Sequence, residues 1–131
     1  MRIFLLICLF TFSLLASHIN WLGNYDKALK IAKKEKKPLL VFLIKNNCQN
    51  CQDIIKKKFS NRDYIEQINK KFVSVIINFD YSNYPIELFY STIFPTLFIV
   101  NPYDETFLTS PFYNKEIIKK LPSKLFKINL P

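Results

Sequence analysis

The strongest constraint on the fold is the run Leu39-Leu40-Val41-Phe42-Leu43-Ile44, which is apolar without interruption between Pro38 and Lys45. It is far too short to span a membrane and lacks the alternation that would leave one face in water. It therefore predicts a strand buried on both faces, central in a sheet that helices cover. Cys48-Gln49-Asn50-Cys51 follows almost at once, a C-x-x-C that opens a predicted helix from about Cys48 to Lys58. Together these features point to an α/β fold with two thiols at the join of a buried strand and a helix.

Length bounds the rest, because 131 residues with 50% hydrophobic content build one compact domain but hardly two. A single glycine and 13 phenylalanines favour regular elements around an aromatic-rich core, and exclude collagen-like, low-complexity and disordered classes. No internal repeat is visible.

Residues 1–17 read as a signal peptide. Met1-Arg2 carries a positive charge, Ile3 to Leu15 is apolar except for Thr11 and Ser13, and Ala16-Ser17 supplies small residues for cleavage. The apolar stretch is shorter than the roughly 20 residues a spanning helix needs, so an uncleaved anchor facing the periplasm is the alternative reading. Cys8 follows Leu6-Ile7 in the middle of this stretch, which is not where a lipid-attachment cysteine stands. The expected mature domain is 18–131, periplasmic or secreted, with Cys48 and Cys51 as its cysteines.

Export puts that pair where thiols are oxidised, and a structural disulfide is common in small secreted domains. A bridge over so short a loop constrains the unfolded chain little, however, which favours a redox-active pair over a staple. The chain carries 19 basic and 10 acidic residues, and removal of Arg2 would take its formal +9 to about +8. The lysines are spread over Lys27 to Lys37, Lys56 to Lys58, Lys70-Lys71 and Lys115 to Lys127, as on solvated helix faces. Export disfavours nucleic acid as a partner. Acidic partners or an anionic membrane face fit the charge equally.

Along the chain, Asn24 or Asp26 caps a predicted helix from about Tyr25 to Lys36, which Pro38 stops. Ser60 precedes Asp63 at capping-box spacing and predicts a short helix over Asp63 to Asn69, followed by a strand over Phe72 to Phe79. Pro85 to Ser91 is predicted as a helix with the proline in its first turn. Thr96 to Val100 is a third strand, Asn101 to Asp104 a turn, and Glu105 to Thr109 a fourth, hairpin strand. A last helix is expected from about Asn114 to Leu121, with Pro122 stopping or kinking it.

Three segments in this order carry a resemblance: Lys37-Pro38-Leu39-Leu40-Val41-Phe42 into Cys48-Gln49-Asn50-Cys51, then Phe72 to Asp80, then Phe94-Pro95-Thr96-Leu97-Phe98-Ile99. Over roughly Trp21 to Lys120 the chain resembles the thioredoxin superfamily, and more narrowly its exported thioredoxin-like members. The resemblance implies a central mixed sheet of four or five strands flanked by helices, with Pro95 in the cis form beside the cysteines. A cis proline there would present the backbone of Phe94 to a partner strand, which makes Phe94, Pro95 and Thr96 substrate-binding candidates. Cys48 and Cys51 are the catalytic candidates. A helix N-terminus favours a thiolate, so Cys48 is the expected nucleophile and Cys51, one turn on, the resolving thiol.

Departures from the thioredoxin pattern are plain. The usual tryptophan before the first cysteine is Asn47, and the pair between the cysteines is Gln49-Asn50 instead of Gly-Pro. The family's buried acid six places before the nucleophile is Phe42, and its lysine partner aligns with Ile76. No metal or cofactor is expected, since the only histidine is His18, beside the cleavage site, and there is no glycine-rich phosphate loop. The expected activity is thiol-disulfide exchange with cysteine-containing exported proteins, drawing on a membrane-bound thiol electron donor or acceptor. The alternative is a binding or assembly module of the same fold with a static disulfide.

Overall fold

The computed structural model describes residues 18–81 and 83–131. The signal peptide expected at 1–17, and the Cys8 within it, lie outside the described residues.

Helix α1 (Tyr25–Glu35) starts where Asn24 accepts the Lys27 backbone N–H at 2.9 Å, so Asn24 and not Asp26 is the cap. It ends at Lys36, whose left-handed backbone (φ 56°) turns the chain into Pro38. Strand β2 (Leu39–Ile44) covers the apolar run, and all of Leu39 to Leu43 are completely buried. Its side chains alternate between two cores. Leu40 and Phe42 pack with Ile54, Ile65, Ile68, Ile117 and Leu125, whereas Leu39, Val41 and Leu43 pack with Tyr25, Ala28, Ala32 and Phe89. Helix α1 therefore covers one face of the sheet. Helices α2 (Gln49–Lys57), α3 (Arg62–Lys71) and α4 (Asn114–Leu125) cover the other.

The sheet has five strands: β1 (Trp21–Leu22), β2, β3 (Val73–Asn78), β4 (Thr96–Val100) and β5 (Phe112–Tyr113), in the spatial order β1-β3-β2-β4-β5. Strand β3 runs parallel to β1 and β2, while β4 is antiparallel to β2 and β5 to β4. The expected mixed, helix-flanked sheet is thus present. The unforeseen β1 is a two-residue edge strand pairing Trp21 with Ser74, too short to leave a period in the sequence.

Four local expectations are corrected. Asn61, not Ser60, caps α3 by accepting the Tyr64 N–H, and the Ser60 hydroxyl instead donates to the Lys56 carbonyl of the preceding helix. Residues 85–91 form a single turn and no helix. A segment that short cannot offset helix nucleation, and the Ser91 hydroxyl is drawn into bonds with Ile93 and Thr96. Glu105 to Thr109 is no strand and keeps only a bridge between Phe107 and Val100. Pro111 lacks the N–H that would continue the ladder, and β4 takes Phe112 and Tyr113 as its partners. Helix α4 continues to Leu125 past position 122, because Ile117 and Leu125, two turns apart on one face, are both completely buried.

Candidate functional site

The site forms where β2 and β3 end together. After Ile44 the chain passes through Lys45, Asn46 and Asn47 to Cys48, which caps α2 from an extended backbone. Asn47 has φ 54°, a left-handed conformation that asparagine tolerates better than a bulky residue, in the position where thioredoxins place tryptophan. The Cys48 sulfur accepts the Cys51 backbone N–H at 3.1 Å, so one of the unpaired donors at the start of α2 already points at it. Cys48 and Cys51 are joined in a disulfide, with Cα atoms 5.3 Å apart. Cys48 is 8% exposed and Cys51 2%, so both are buried and Cys48 is the less covered of the two.

A polar clamp fixes the segment before Cys48. The Asp80 carboxylate accepts the Asn46 N–H at 2.7 Å, the Asn78 side-chain amide donates to the Asn46 side-chain oxygen at 2.9 Å, and the Asp80 N–H donates to Asn78 Oδ1 at 2.9 Å. The Phe79 N–H closes on the Ile44 carbonyl at 2.8 Å. Sequence reasoning missed Asn46, Asn78 and Asp80. Their signal was short polar residues at or just past the ends of two parallel strands, where loops meet.

The Phe94-Pro95 peptide is cis, as the resemblance implied. Thr96 pairs with Leu43 in the β2–β4 register, which sets Pro95 at the same end of the sheet as the cysteine loop. Phe94 is half-buried, its ring 5.2 Å from that of Phe79, and the Lys45 ammonium lies 5.0 Å from the Phe94 centroid. Thr96 is completely buried. Its hydroxyl donates to the Ile93 carbonyl at 2.6 Å and meets the Ser91 hydroxyl at 2.9 Å, so it holds the turn before the proline.

Beside the disulfide opens a groove of about 380 Å³, lined among others by Ile44, Lys45, Cys48, Ile55, Lys56 and Asn78. Behind it Phe42 is registered against Ile76, an apolar pair where thioredoxins are expected to carry an acid and a lysine. Phe42 is fully buried and stacks with Trp21 at 5.6 Å and edge-on with Phe59 at 5.2 Å. Proton acceptance behind Cys51 therefore has no carboxylate at that position. Among the described residues no cluster of three or more His, Cys, Asp or Glu is placed to hold a metal ion, and no helix is long and apolar enough to cross a membrane.

A family model described as thioredoxin-like matches residues 20–102, which takes in the whole cysteine site and the strand after Pro95. The chain belongs to the thioredoxin-like family. Among solved structures, this thioredoxin-like chain is similar to the DsbH oxidoreductase, with TM-score 0.63 and 17% identity over 79% of this chain and 78% of that one. It is also similar to a thioredoxin from Thermus thermophilus, with TM-score 0.62 and 19% identity over 79% of this chain and 85% of that one. A comparison with curated proteins finds no match. At these identities the likeness speaks for the thioredoxin fold alone.

Proposed function

We propose that this thioredoxin-like protein is an exported thiol-disulfide oxidoreductase that exchanges disulfides with cysteines of other exported proteins. The observation that carries the reading is the pair at the start of α2: Cys48 caps the helix and is the less buried of the two, Cys51 lies one turn on and deeper, and both line the groove. In the oxidised form a partner thiolate attacks the Cys48 sulfur. The Cys48–Cys51 bond breaks, a mixed disulfide forms, and Cys51 leaves as a thiolate and takes up a proton. A second partner thiolate then attacks the partner's own sulfur in the mixed disulfide and releases Cys48. Two electrons and two protons have passed from the partner dithiol to the protein, and the reverse sequence reduces a partner disulfide.

The positive end of the α2 dipole and the donors of its first turn stabilise the Cys48 thiolate, making it both nucleophile and good leaving group. Phe94 offers backbone for strand-like docking of the partner beside the buried cis Pro95, whose carbonyl already accepts the Asn114 N–H, and Thr96 holds the turn in place. A membrane-bound thiol donor or acceptor would reset the pair. The amino-terminal segment supports a periplasmic or secreted location, and one structural neighbour bears the name oxidoreductase.

The test is turnover of a model peptide dithiol in a glutathione redox buffer. The protein should accelerate its oxidation or reduction well above the buffer alone, and Cys48→Ser should abolish the acceleration. An unreactive bridge with partner binding unaffected by Cys48→Ser would instead mark a static disulfide.

A further inference from the structure

The groove beside the disulfide has a definite chemical character. Its floor includes Ile44 and Ile55, its charged lining residues are Lys45 and Lys56, and no carboxylate lines it. Both lysines are exposed, and among the described residues neither makes an ion pair. Asp80 accepts the Asn46 N–H at 2.7 Å and Asp53 the Gln49 side-chain amide at 2.9 Å, and neither forms an ion pair with Lys45 or Lys56. Lys45 lies 5.0 Å from the Phe94 ring, Phe94 lies 5.2 Å from Phe79, and Phe79 lies 6.1 Å from Tyr90. Tyr90 is 63% exposed, and Ile93, the chain neighbour of Phe94, 46%. This row of contacts from Lys45 to the exposed Tyr90 offers more than one small thiol needs and fits an extended polypeptide.

We propose that the groove selects extended polypeptide segments that carry a carboxylate side chain next to the reacting cysteine, held by Lys45 and Lys56. This specificity rests on the disulfide-exchange reading. Both cations sit in water, so each contributes modestly and is screened by salt. Together they amount to about five- to tenfold discrimination between an acidic and a basic neighbour at low ionic strength.

The experiment uses the full-length protein, fully reduced, with acetylated and amidated peptide disulfides that differ only in Glu, Gln or Lys beside the cysteine. An uncharged dipyridyl disulfide reports thiol reactivity itself. The Glu peptide should react fastest and the Lys peptide slowest, with the gap closing at about 1 M salt. Normalised to the dipyridyl rate, Lys45→Glu combined with Lys56→Glu should invert the order, and the single Lys→Gln variants should each narrow it. Equal wild-type rates for the three peptides, or an order that salt and the lysine variants leave unchanged, would overturn the selectivity. Failure of Cys48 to react with the dipyridyl disulfide would instead overturn the exchange reading beneath it.

Discussion

Two segments reach the same end of the sheet, and they are built in opposite ways. Residues 39–57 arrive as a strand buried from Leu39 to Leu43, a short loop and a helix, and are fixed by backbone ladders on either side of that strand. Residues 79–81 and 83–95 arrive as irregular chain held by side chains: Phe89 buried against Tyr25, Phe98 and Phe107, Phe79 against Phe94 and Tyr90, and Ser91 hydrogen-bonded to Thr96. The contrast separates two tasks. Sulfur chemistry needs a helix cap held within a fraction of an ångström, while recognition needs exposed side chains on a surface free to differ between relatives. Asp80 ties the two, since it follows β3 yet binds the backbone of the cysteine loop.

The largest expected effects come from the anchor of each segment. Phe42→Ala empties a fully enclosed site with two ring partners and should cost about 3–5 kcal/mol, read as a lower urea midpoint. Phe89→Ala should cost about 3 kcal/mol, nearer the low end because irregular chain collapses into a cavity more readily than a sheet does. If Phe89→Ala cost nothing, the irregular segment would not be held by packing and the comparison would break.

A smaller effect is expected at the tie. Asp80→Ala removes a hydrogen bond at a largely exposed carboxylate and should cost about 1 kcal/mol, while slowing exchange at Cys48 more than Asp80→Asn does. The Tyr25 phenol beneath Phe89 is buried and donates to Glu105 at 2.6 Å. Burial first, then that bond and the charge of Glu105, raise its pKa above the ordinary 10.0. The fold holds the neutral phenol, so this contribution is complete below about pH 10 and is lost progressively as the pH rises above it. Tyr25→Phe should cost about 1 kcal/mol at neutral pH and flatten the decline of stability above pH 10 in urea titrations. Smallest of all, Tyr90→Ser should change stability by less than about 0.5 kcal/mol, because Tyr90 is 63% exposed.

Legibility in the sequence followed the same division. Strand β2 was readable to the residue, because a strand buried on both faces must be apolar throughout, and α2 was readable because the C-x-x-C marks its start. The cis peptide at Pro95 came from resemblance, not from any local pattern. The segment at 85–91 misled, since Pro85 suits the first turn of a helix and nothing local reveals that Phe89 will be drawn into the α1 core. Asn46 and Asp80 lie 34 positions apart, so their bond exists only once β2 and β3 are paired. Phe107 misled similarly: the hairpin begins as expected, but the competing pairing of Phe112 with Leu97 is a long-range choice that local alternation does not record.

The central claim, that Cys48 is the sulfur that engages a partner, is tested most directly by trapping. Cys51→Ser removes the resolving thiol, so incubation with a peptide disulfide should leave the peptide bound through Cys48, releasable by dithiothreitol and located by mass spectrometry. No adduct at Cys48 under conditions where a free peptide thiol exchanges would contradict it.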